Sequence, residues 1–357
     1  MEKLYLVLEN GQIFEGKSFG ASGEITGEIV FSTAMTGYLE TITDPSYFGQ
    51  IVVQTFPLIG NYGVIPSDFE SDKPYLKAYV VREWCQEPSN FRCEGDLDTF
   101  LKDAGVIGLY DIDTRQLTKI IREYGVMNAK ITKSVENIDE IINELKAYKV
   151  TGAVKSATCN SVKVYNEEGN KHVVLMDFGE KANIQRELIK RGCKVTVVPS
   201  YTTASEILAM KPDGIMLSNG PGDPAENVEI IEEIKALVES KTPIFGICLG
   251  HQLTALSQGA TTSKLKYGHR GGNQPVKEVE TGRVYISSQN HGYAVDTESL
   301  PAHAELSWVN VNDGTCEGVI YKNSPVYTVQ FHPEACGGPK DTMFLFDKFI
   351  NVMGGTK

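Results

Sequence analysis

The spacing of apolar positions changes near the middle of the chain. In the N-terminal part, strand-like apolar runs are broken by glycine at 4–8, 27–32, 50–54 and 76–81. Helical periodicity appears at 97–104, 114–124 and 138–148, and a polar, irregular stretch follows. The pattern predicts an N-terminal domain over 1–150 and a linker over 151–170.

From residue 171 to 357 the rhythm is that of a second domain. Strands are predicted at 172–178, 195–198, 214–218 and 243–248, separated by helices at 180–191, 204–210 and 227–239. Short apolar strands that alternate with helices are typical of an α/β protein with a doubly wound, mostly parallel sheet. Ligands bind beyond the carboxyl ends of such strands. The part after residue 272 is β-rich until a final helix near 341–353.

The fourth of these strands ends in a candidate nucleophile. Cys248 lies between Gly246 and Gly250, directly before a helix-forming segment, which is the G-x-C-x-G form of a nucleophile elbow. So sharp a turn brings backbone close to both glycines, and the helix N-terminus favours a thiolate. A buried cysteine before a glycine-rich turn is the other interpretation, and the elbow alone favours catalysis only modestly.

A candidate base and its orienting carboxylate follow the run 326–330. His332 and Glu334 are two residues apart, so in extended chain they share a face. A histidine backed by a carboxylate, together with a cysteine, forms a nucleophilic triad. An isolated His-Pro-Glu is more typical of a histidine that caps a strand, but Cys248 in the same domain favours catalysis.

Two polar loops add weaker signals. The segment 218–224, Ser-Asn-Gly-Pro-Gly-Asp-Pro, has exposed N–H groups that suit oxyanion stabilisation, although such turns are common. The segment 287–293 ends a strand with amide groups that could bind a polar substrate. We expect a structural or solvated role for His251, His269 and His291.

Composition excludes several classes of function. The 357 residues are 41% hydrophobic with a net charge of −12, and no basic stripe indicates nucleic-acid binding. The seven cysteines form no C-x-x-C pair, which indicates reduced thiols in a cytoplasmic protein without a metal cluster. No apolar run is long enough for a membrane helix. Without a Walker loop or a G-x-G-x-x-G after a strand, we expect neither ATP nor a dinucleotide to bind this chain.

The motifs at 246–252 (GICLGHQ), 332–334 (HPE) and 218–224 resemble the class I glutamine amidotransferases with a Cys-His-Glu triad. Segments 36–47, 56–63, 113–118, 268–275 and 289–293 resemble the small-subunit family of carbamoyl phosphate synthetase. The resemblance implies a flavodoxin-like C-terminal domain. It also implies an N-terminal mixed β/β/α domain that docks a large subunit.

The resemblance further implies glutamine hydrolysis through a thioester on Cys248, with His332 as the acid and base and Glu334 as its partner. It implies an oxyanion hole from the N–H groups of Leu249 and Gly222. The positions that would hold glutamine are Ser46, Gly220, Gly222, Leu249, Gln252, Asn290, Gly292 and Tyr293. At position 293 the family often has phenylalanine.

The implied partner is a large synthetase subunit, which together with this chain forms a heterodimer. That subunit uses MgATP and bicarbonate with the released ammonia to make carbamoyl phosphate for arginine and pyrimidine biosynthesis, so no cofactor is expected in this chain. Three alternatives stay open: the glutaminase subunit of another synthase such as the anthranilate system, a free γ-glutamyl hydrolase, and a non-catalytic regulatory subunit.

Overall fold

The structure, a computed structural model, describes residues 2–335 and 337–354. The chain forms two compact units, Met1–Thr151 and Gly152–Lys357. No helix in the described part of the chain is long and apolar enough to cross a membrane.

The first unit is built around a β-barrel. Its strands are β1 (Lys3–Leu8), β2 (Ile13–Gly20), β3 (Ile25–Ser32), β4 (Gln50–Gln54), β5 (Leu58–Ile59), β6 (Ala78–Val80), β7 (Glu83–Trp84), β8 (Ile107–Tyr110) and β9 (Met127–Thr132). Its helices are α1 (Tyr38–Thr43), α2 (Leu97–Asp103), α3 (Thr114–Tyr124) and α4 (Ile138–Ala147). The barrel closes in the order β1-β2-β8-β6-β4-β3-β9, with parallel and antiparallel pairs, and β5 pairs with β7. The closed sheet has no open edge to protect.

The second unit contains the predicted α/β sheet. Its helices are α5 (Ala153–Ala157), α6 (Ala182–Lys190), α7 (Ala204–Ala209), α8 (Val228–Glu239), α9 (Leu249–Ser257) and α10 (Phe344–Met353). Its strands are β10 (Lys163–Tyr165), β11 (Lys171–Asp177), β12 (Cys193–Pro199), β13 (Gly214–Leu217), β14 (Ile244–Ile247), β15 (Thr262–Glu278), β16 (Val284–Val295), β17 (Ala304–Asn310), β18 (Cys316–Tyr321) and β19 (Val326–Val329).

The parallel part of this sheet has the order β12-β11-β13-β14-β19, which is the flavodoxin-like order 2-1-3-4-5. Antiparallel strands extend it on both sides, with β10 beyond β12 and β18-β17-β15-β16 beyond β19. Alternate residues of β11 enter opposite cores: Val174 packs in the core that includes residues of α7, α8 and α9, and Val173 in the core that includes residues of α6 and α10. The expectation of a doubly wound, largely parallel sheet is confirmed.

The segment 151–170, expected to be an irregular linker, differs from that expectation. Except for Thr151 it groups with the second unit, and it contains α5 and β10. Strand β10 pairs antiparallel with β12, with Val164 opposite Thr196. Val154 is buried in the core of the second unit, so packing supplies the order that the polar composition did not suggest.

Four parallel strands bring their carboxyl ends to one edge of the sheet. Strands β11, β13, β14 and β19 end at Asp177, Leu217, Ile247 and Val329. The loops that follow are 178–181, 218–223, the elbow at Cys248 and the segment 330–334. These four loops, which carry the candidate catalytic residues, therefore follow adjacent strands at the same edge of the sheet.

Candidate active site

Cys248 lies in a strained turn between β14 and α9. Its φ is 51° and its ψ is −100°, a backbone conformation that residues other than glycine rarely adopt. A Cβ on Gly250 would lie 2.4 Å from the carbonyl oxygen of Leu217, and one on Gly246 would lie 2.9 Å from Thr328 Cγ2. The steric reason that the sequence suggested for both elbow glycines is therefore confirmed.

The cysteine and the histidine both form hydrogen bonds with the backbone of strand β16. The Cys248 thiol donates to the carbonyl oxygen of Asn290 at 3.8 Å. The His332 N–H donates to the carbonyl oxygen of Ser288 at 2.9 Å, and these two residues form an isolated bridge. Because Ser288 and Asn290 are two residues apart in a strand, the two carbonyl oxygens that accept these hydrogen bonds are about 7 Å apart. The structure thus brings both predicted catalytic residues to the middle of β16.

His332 is bound to the carboxylate that the sequence paired with it. Its Nδ1 lies 2.7 Å from Glu334 Oε1, and both side chains are buried. A carboxylate on Nδ1 holds the proton on that nitrogen and leaves Nε2 as the basic atom. Nε2 is itself buried and has no hydrogen-bond partner among the described residues. The arrangement is that of a base whose reactive nitrogen is available to a substrate or nucleophile proton.

A third charged group, Lys181, completes this buried array. Its Nζ lies 2.9 Å from Glu334 Oε1. Burial acts to raise the pKa of Glu334, but the charges of Lys181 and His332 outweigh it and lower that pKa to about 2. Glu334 is therefore ionised at neutral pH and supports a positive charge on His332.

The sequence analysis missed Lys181. Lys181 lies in the turn after β11, at the carboxyl edge of the parallel strands, one residue before α6, whereas the sequence pattern predicted a helix from residue 180. Its backbone N–H donates to Asn219 Oδ1 at 2.9 Å, and Asn219 Nδ2 donates to the Gly179 carbonyl at 3.0 Å. The loop 218–224 thus holds the turn that carries the lysine. A lysine directly after a strand at this edge was the available signal, but sequence spacing alone did not link it to Glu334.

The same loop packs against the start of the elbow helix. A Cβ on Gly220 would lie 2.5 Å from the Phe178 carbonyl oxygen and 2.8 Å from Leu249 Cδ2. The Gly250 N–H donates to the Ser218 carbonyl at 3.0 Å. Gly222 has a φ of 91°, which only glycine adopts without strain. Close packing therefore brings the predicted substrate positions 220 and 249 together.

Gln252 joins the elbow helix to the end of β16. Its Nε2 donates to the Tyr293 carbonyl at 2.7 Å and to Gln330 Oε1 at 2.9 Å. Tyr293 is half-buried, with Lys264 Nζ 5.9 Å from the centre of its ring. A Cβ on Gly292 would lie 3.3 Å from Arg270 Nη2. Four of the predicted glutamine positions, 252, 290, 292 and 293, thus lie along one strand end and the helix beside it.

Ser46 belongs to the first unit. It is buried in the short 3₁₀ helix Pro45–Tyr47, and its N–H donates to Asp44 Oδ1 at 2.9 Å. Its contact with glutamine stays a prediction.

The remaining histidines of the site region are buried rather than solvated. His251 Nδ1 lies 2.7 Å from Thr328 Oγ1, and burial lowers its pKa to about 3. His269 and His291 lie close to Glu317, and one ligand-type atom from each of the three falls within 4.8 Å of the others. Sequence reasoning missed this group because its members are on three different strands.

Two family models match different parts of the chain. A family model described as glutamine amidotransferase class-I matches residues 174–352. A second model, the CPSase domain of the carbamoyl-phosphate synthase small chain, matches residues 6–131. Among solved structures, a glutamine amidotransferase from Thermotoga maritima is similar with 17% identity and a TM-score of 0.39, covering 52% of this chain and 84% of that chain.

Three curated relatives are similar over nearly the whole chain, and each is a carbamoyl phosphate synthase small chain. The Fusobacterium nucleatum protein is 54% identical, with 97% of this chain and 96% of the relative covered. The Clostridium perfringens protein is 52% identical, with 98% and 99% covered. The Lactococcus lactis subsp. cremoris protein is 50% identical over the full length of both. The chain therefore belongs to the family of carbamoyl phosphate synthase small chains, the glutamine amidotransferase subunits of that synthase.

Proposed function

We propose that Cys248, His332 and Glu334 are the catalytic residues, and that they hydrolyse L-glutamine through a glutamyl thioester. The observation that carries this proposal is the buried pair His332 Nδ1–Glu334 Oε1 at 2.7 Å, with Nε2 of the same ring left without a protein partner in the described chain. The strained φ of Cys248 supports its assignment as the nucleophile.

The chemistry begins when the Cys248 thiolate attacks the side-chain amide carbon of glutamine. The carbonyl oxygen becomes an oxyanion, for which the N–H groups of Leu249 and Gly222 are the proposed donors. His332 gives the thiol-derived proton to the leaving nitrogen, so the C–N bond breaks and ammonia departs. A water that loses its proton to His332 then attacks the thioester, releasing glutamate and restoring the thiol.

Lys181 and Glu334 set the charge environment of His332 without contacting the substrate. The carboxylate stabilises the imidazolium that forms when His332 takes a proton. The lysine keeps the carboxylate ionised, because its charge lowers the pKa of Glu334. The array therefore keeps an ionised carboxylate on His332 Nδ1 at neutral pH.

The proposed glutamine-binding residues are Ser46, Gly220, Gly222, Leu249, Gln252, Asn290, Gly292 and Tyr293. For Tyr293, the proposed contact with glutamine is made by the backbone. Its carbonyl accepts from Gln252, and a tyrosine where relatives often have phenylalanine would then leave binding unchanged.

The proposed partner is a carbamoyl phosphate synthetase large subunit that receives the ammonia. Ammonia in neutral water is mostly ammonium, which is not nucleophilic, so transfer within a heterodimer is chemically favoured. Bicarbonate activation by MgATP is assigned to that subunit, and no cofactor is assigned to this chain. We place the reaction in the cytoplasm, where carbamoyl phosphate supplies arginine and pyrimidine biosynthesis.

The test is glutamate release from glutamine, with and without a large subunit, bicarbonate and MgATP. We expect a strong rise with all components present and its loss in Cys248→Ala. In Cys248→Ser, synthesis from added ammonia should persist while synthesis from glutamine disappears. Glutamine hydrolysis that survives Cys248→Ala would refute the assignment of the nucleophile, and a rate indifferent to the large subunit would refute the partner.

A further inference from the structure

A buried glutamine directly after β19 contacts the elbow helix α9. Gln330 follows Val329, the last residue of β19, and its N–H donates to the Glu317 carbonyl at 2.9 Å, so the pairing with β18 continues through it. Its side chain has no solvent exposure, and its Oε1 accepts from Gln252 Nε2 at 2.9 Å. The proposed reaction does not use Gln330.

The partners of Gln252 determine which way its amide is turned. The Tyr293 carbonyl oxygen can only accept, so the end of the Gln252 amide that lies 2.7 Å from it is the NH₂ group. The same NH₂ group lies 2.9 Å from the Gln330 amide, whose facing end must then be its oxygen. The two hydrogens of the Gln252 NH₂ group therefore have two acceptors. The Gln252 oxygen forms no hydrogen bond with the described residues and is left as an acceptor.

A purely structural role for Gln330 is the competing explanation of this contact. Gln330 Nε2 is buried and has no hydrogen-bond partner in the described chain. A buried donor without a partner costs folding free energy, which methionine, an apolar residue of similar length, would avoid. Methionine would also take one acceptor from Gln252, so the two effects on stability oppose each other. Stability alone therefore does not explain a glutamine at position 330, whereas the need for an acceptor beside Gln252 does.

We propose that Gln330 is a positioning residue for the binding of substrate glutamine. Its side-chain oxygen and the Tyr293 carbonyl together hold the NH₂ group of Gln252, and so turn the Gln252 oxygen towards an N–H donor of the substrate. An inverted Gln252 amide would set its own NH₂ group against that donor, and binding would weaken. This inference rests on the proposed function, in which Gln252 and Tyr293 contact glutamine.

The test compares Gln330→Met with Gln330→Glu, each assembled with the large subunit. Gln330→Met has no acceptor oxygen, so the KM for glutamine should rise about tenfold while kcat changes little. In Gln330→Glu a carboxyl oxygen can face Gln252 whether or not the group is ionised, so the KM should stay within about threefold of the wild-type value. Gln258→Met is the matched control, because Gln258 directly follows the same helix but bonds to Ser257 and His303.

A double-mutant cycle tests whether Gln330 acts through Gln252. Gln252→Met alone should raise the KM for glutamine at least as much as Gln330→Met does. In the Gln252→Met background, Gln330→Met should raise the KM by less than about twofold, because the amide that it orients is already gone. The same fold-increase in both backgrounds would overturn the proposal. So would a KM of Gln330→Glu as high as that of Gln330→Met, or a KM of Gln330→Met no higher than that of Gln258→Met.

Folding and assembly are checked separately. Synthesis from added ammonia should be unchanged in every variant, since it requires the assembled complex but not the binding of glutamine. The midpoint of urea unfolding of Gln330→Met should stay close to that of the wild type. If Gln330→Met lowers both this midpoint and the synthesis from ammonia, Gln330 supports the fold instead and the positioning role fails.

These outcomes are separable from failure of the proposed function. If Cys248→Ala leaves glutamine hydrolysis intact, the triad assignment fails whatever the Gln330 variants do. If Gln252→Met leaves the KM unchanged, Gln252 is not a glutamine contact, and that part of the proposed function fails together with the role of Gln330. If Gln252→Met raises the KM and Gln330→Met does not, the contact stands and only the role of Gln330 fails.

Discussion

Replacing Lys181 with methionine removes the cation beside Glu334 and leaves a carboxylate that is only 1% exposed. The pKa of Glu334 lies near 2 in the folded chain against about 4.5 in a peptide. That difference corresponds to about 3 kcal/mol of folding free energy at neutral pH. His332 supplies part of it, so Lys181→Met should lower the free energy of unfolding of the second unit by about 2 kcal/mol.

The pH dependence has a defined sign. A lowered pKa stabilises the folded state above pH 4.5, where Glu334 is ionised in both states. This contribution is lost as the pH falls towards 2. The difference between wild type and Lys181→Met should therefore be largest near pH 7 and shrink below pH 4.5.

Urea unfolding followed by tryptophan fluorescence measures this difference. The chain has two tryptophans, and Trp308 in the second unit packs edge-on against Phe331 at 5.2 Å. A Trp84→Phe background leaves Trp308 as the reporter. Lys190→Met is the matched control, because its exposed ammonium makes only a surface pair with Glu187 at 3.6 Å and should change stability by less than about 0.5 kcal/mol.

Two outcomes would refute the reasoning. A loss at pH 7 no larger than that of Lys190→Met would mean that Lys181 does not hold Glu334 ionised. A larger loss that stays constant from pH 7 to pH 3 would mean that the lysine stabilises by packing alone. In addition, Lys181→Met should lower kcat for glutamine hydrolysis, because a protonated Glu334 cannot stabilise the imidazolium.

Two further predictions follow from burial and close packing. Gly250→Ala should destabilise the second unit by about 2 kcal/mol or more, because its Cβ would lie 2.4 Å from the Leu217 carbonyl. Gly272→Ala, whose nearest atom would be 3.5 Å away, should be nearly neutral in the same urea assay. The lowered pKa of His251 makes the folded state bind fewer protons than the unfolded chain, so the free energy of unfolding of the wild type should fall by about 2 kcal/mol from pH 7 to pH 5. In His251→Asn this decrease should be absent. Equal pH dependence in wild type and variant would contradict that prediction.

The local features of the second unit could be predicted because each has a short-range cause. The alternation of apolar strands and helices follows from burial of a parallel sheet on both faces. The elbow glycines follow from the steric demands of one turn, and the spacing of His332 and Glu334 follows from the two-residue period of extended chain. In the first unit the strand-like runs were identified, but the closure of the barrel depends on which strands pair, and sequence periodicity does not encode pairing.

The order of the segment 152–170 was not predictable from its composition. Its polar residues resemble those of a linker, and only packing against the second unit explains α5 and β10. A short segment gains its order from contacts distant in sequence, because it has too few local hydrogen bonds to hold a helix or strand by itself.

The sequence by itself determined the chemical inventory of this protein: an elbow cysteine, a histidine with its carboxylate, and a glycine-rich loop at the carboxyl edge of a parallel sheet. Tertiary structure alone decided which other charges act on them. Lys181 reaches Glu334 from a turn about 150 residues earlier in the chain, and Gln289 on β16 donates to Glu317 on β18, a strand with which β16 does not pair. Electrostatic and hydrogen-bond partners are set by distances of a few ångströms and by the exclusion of water. Those quantities exist only once the strands have paired and the cores have closed.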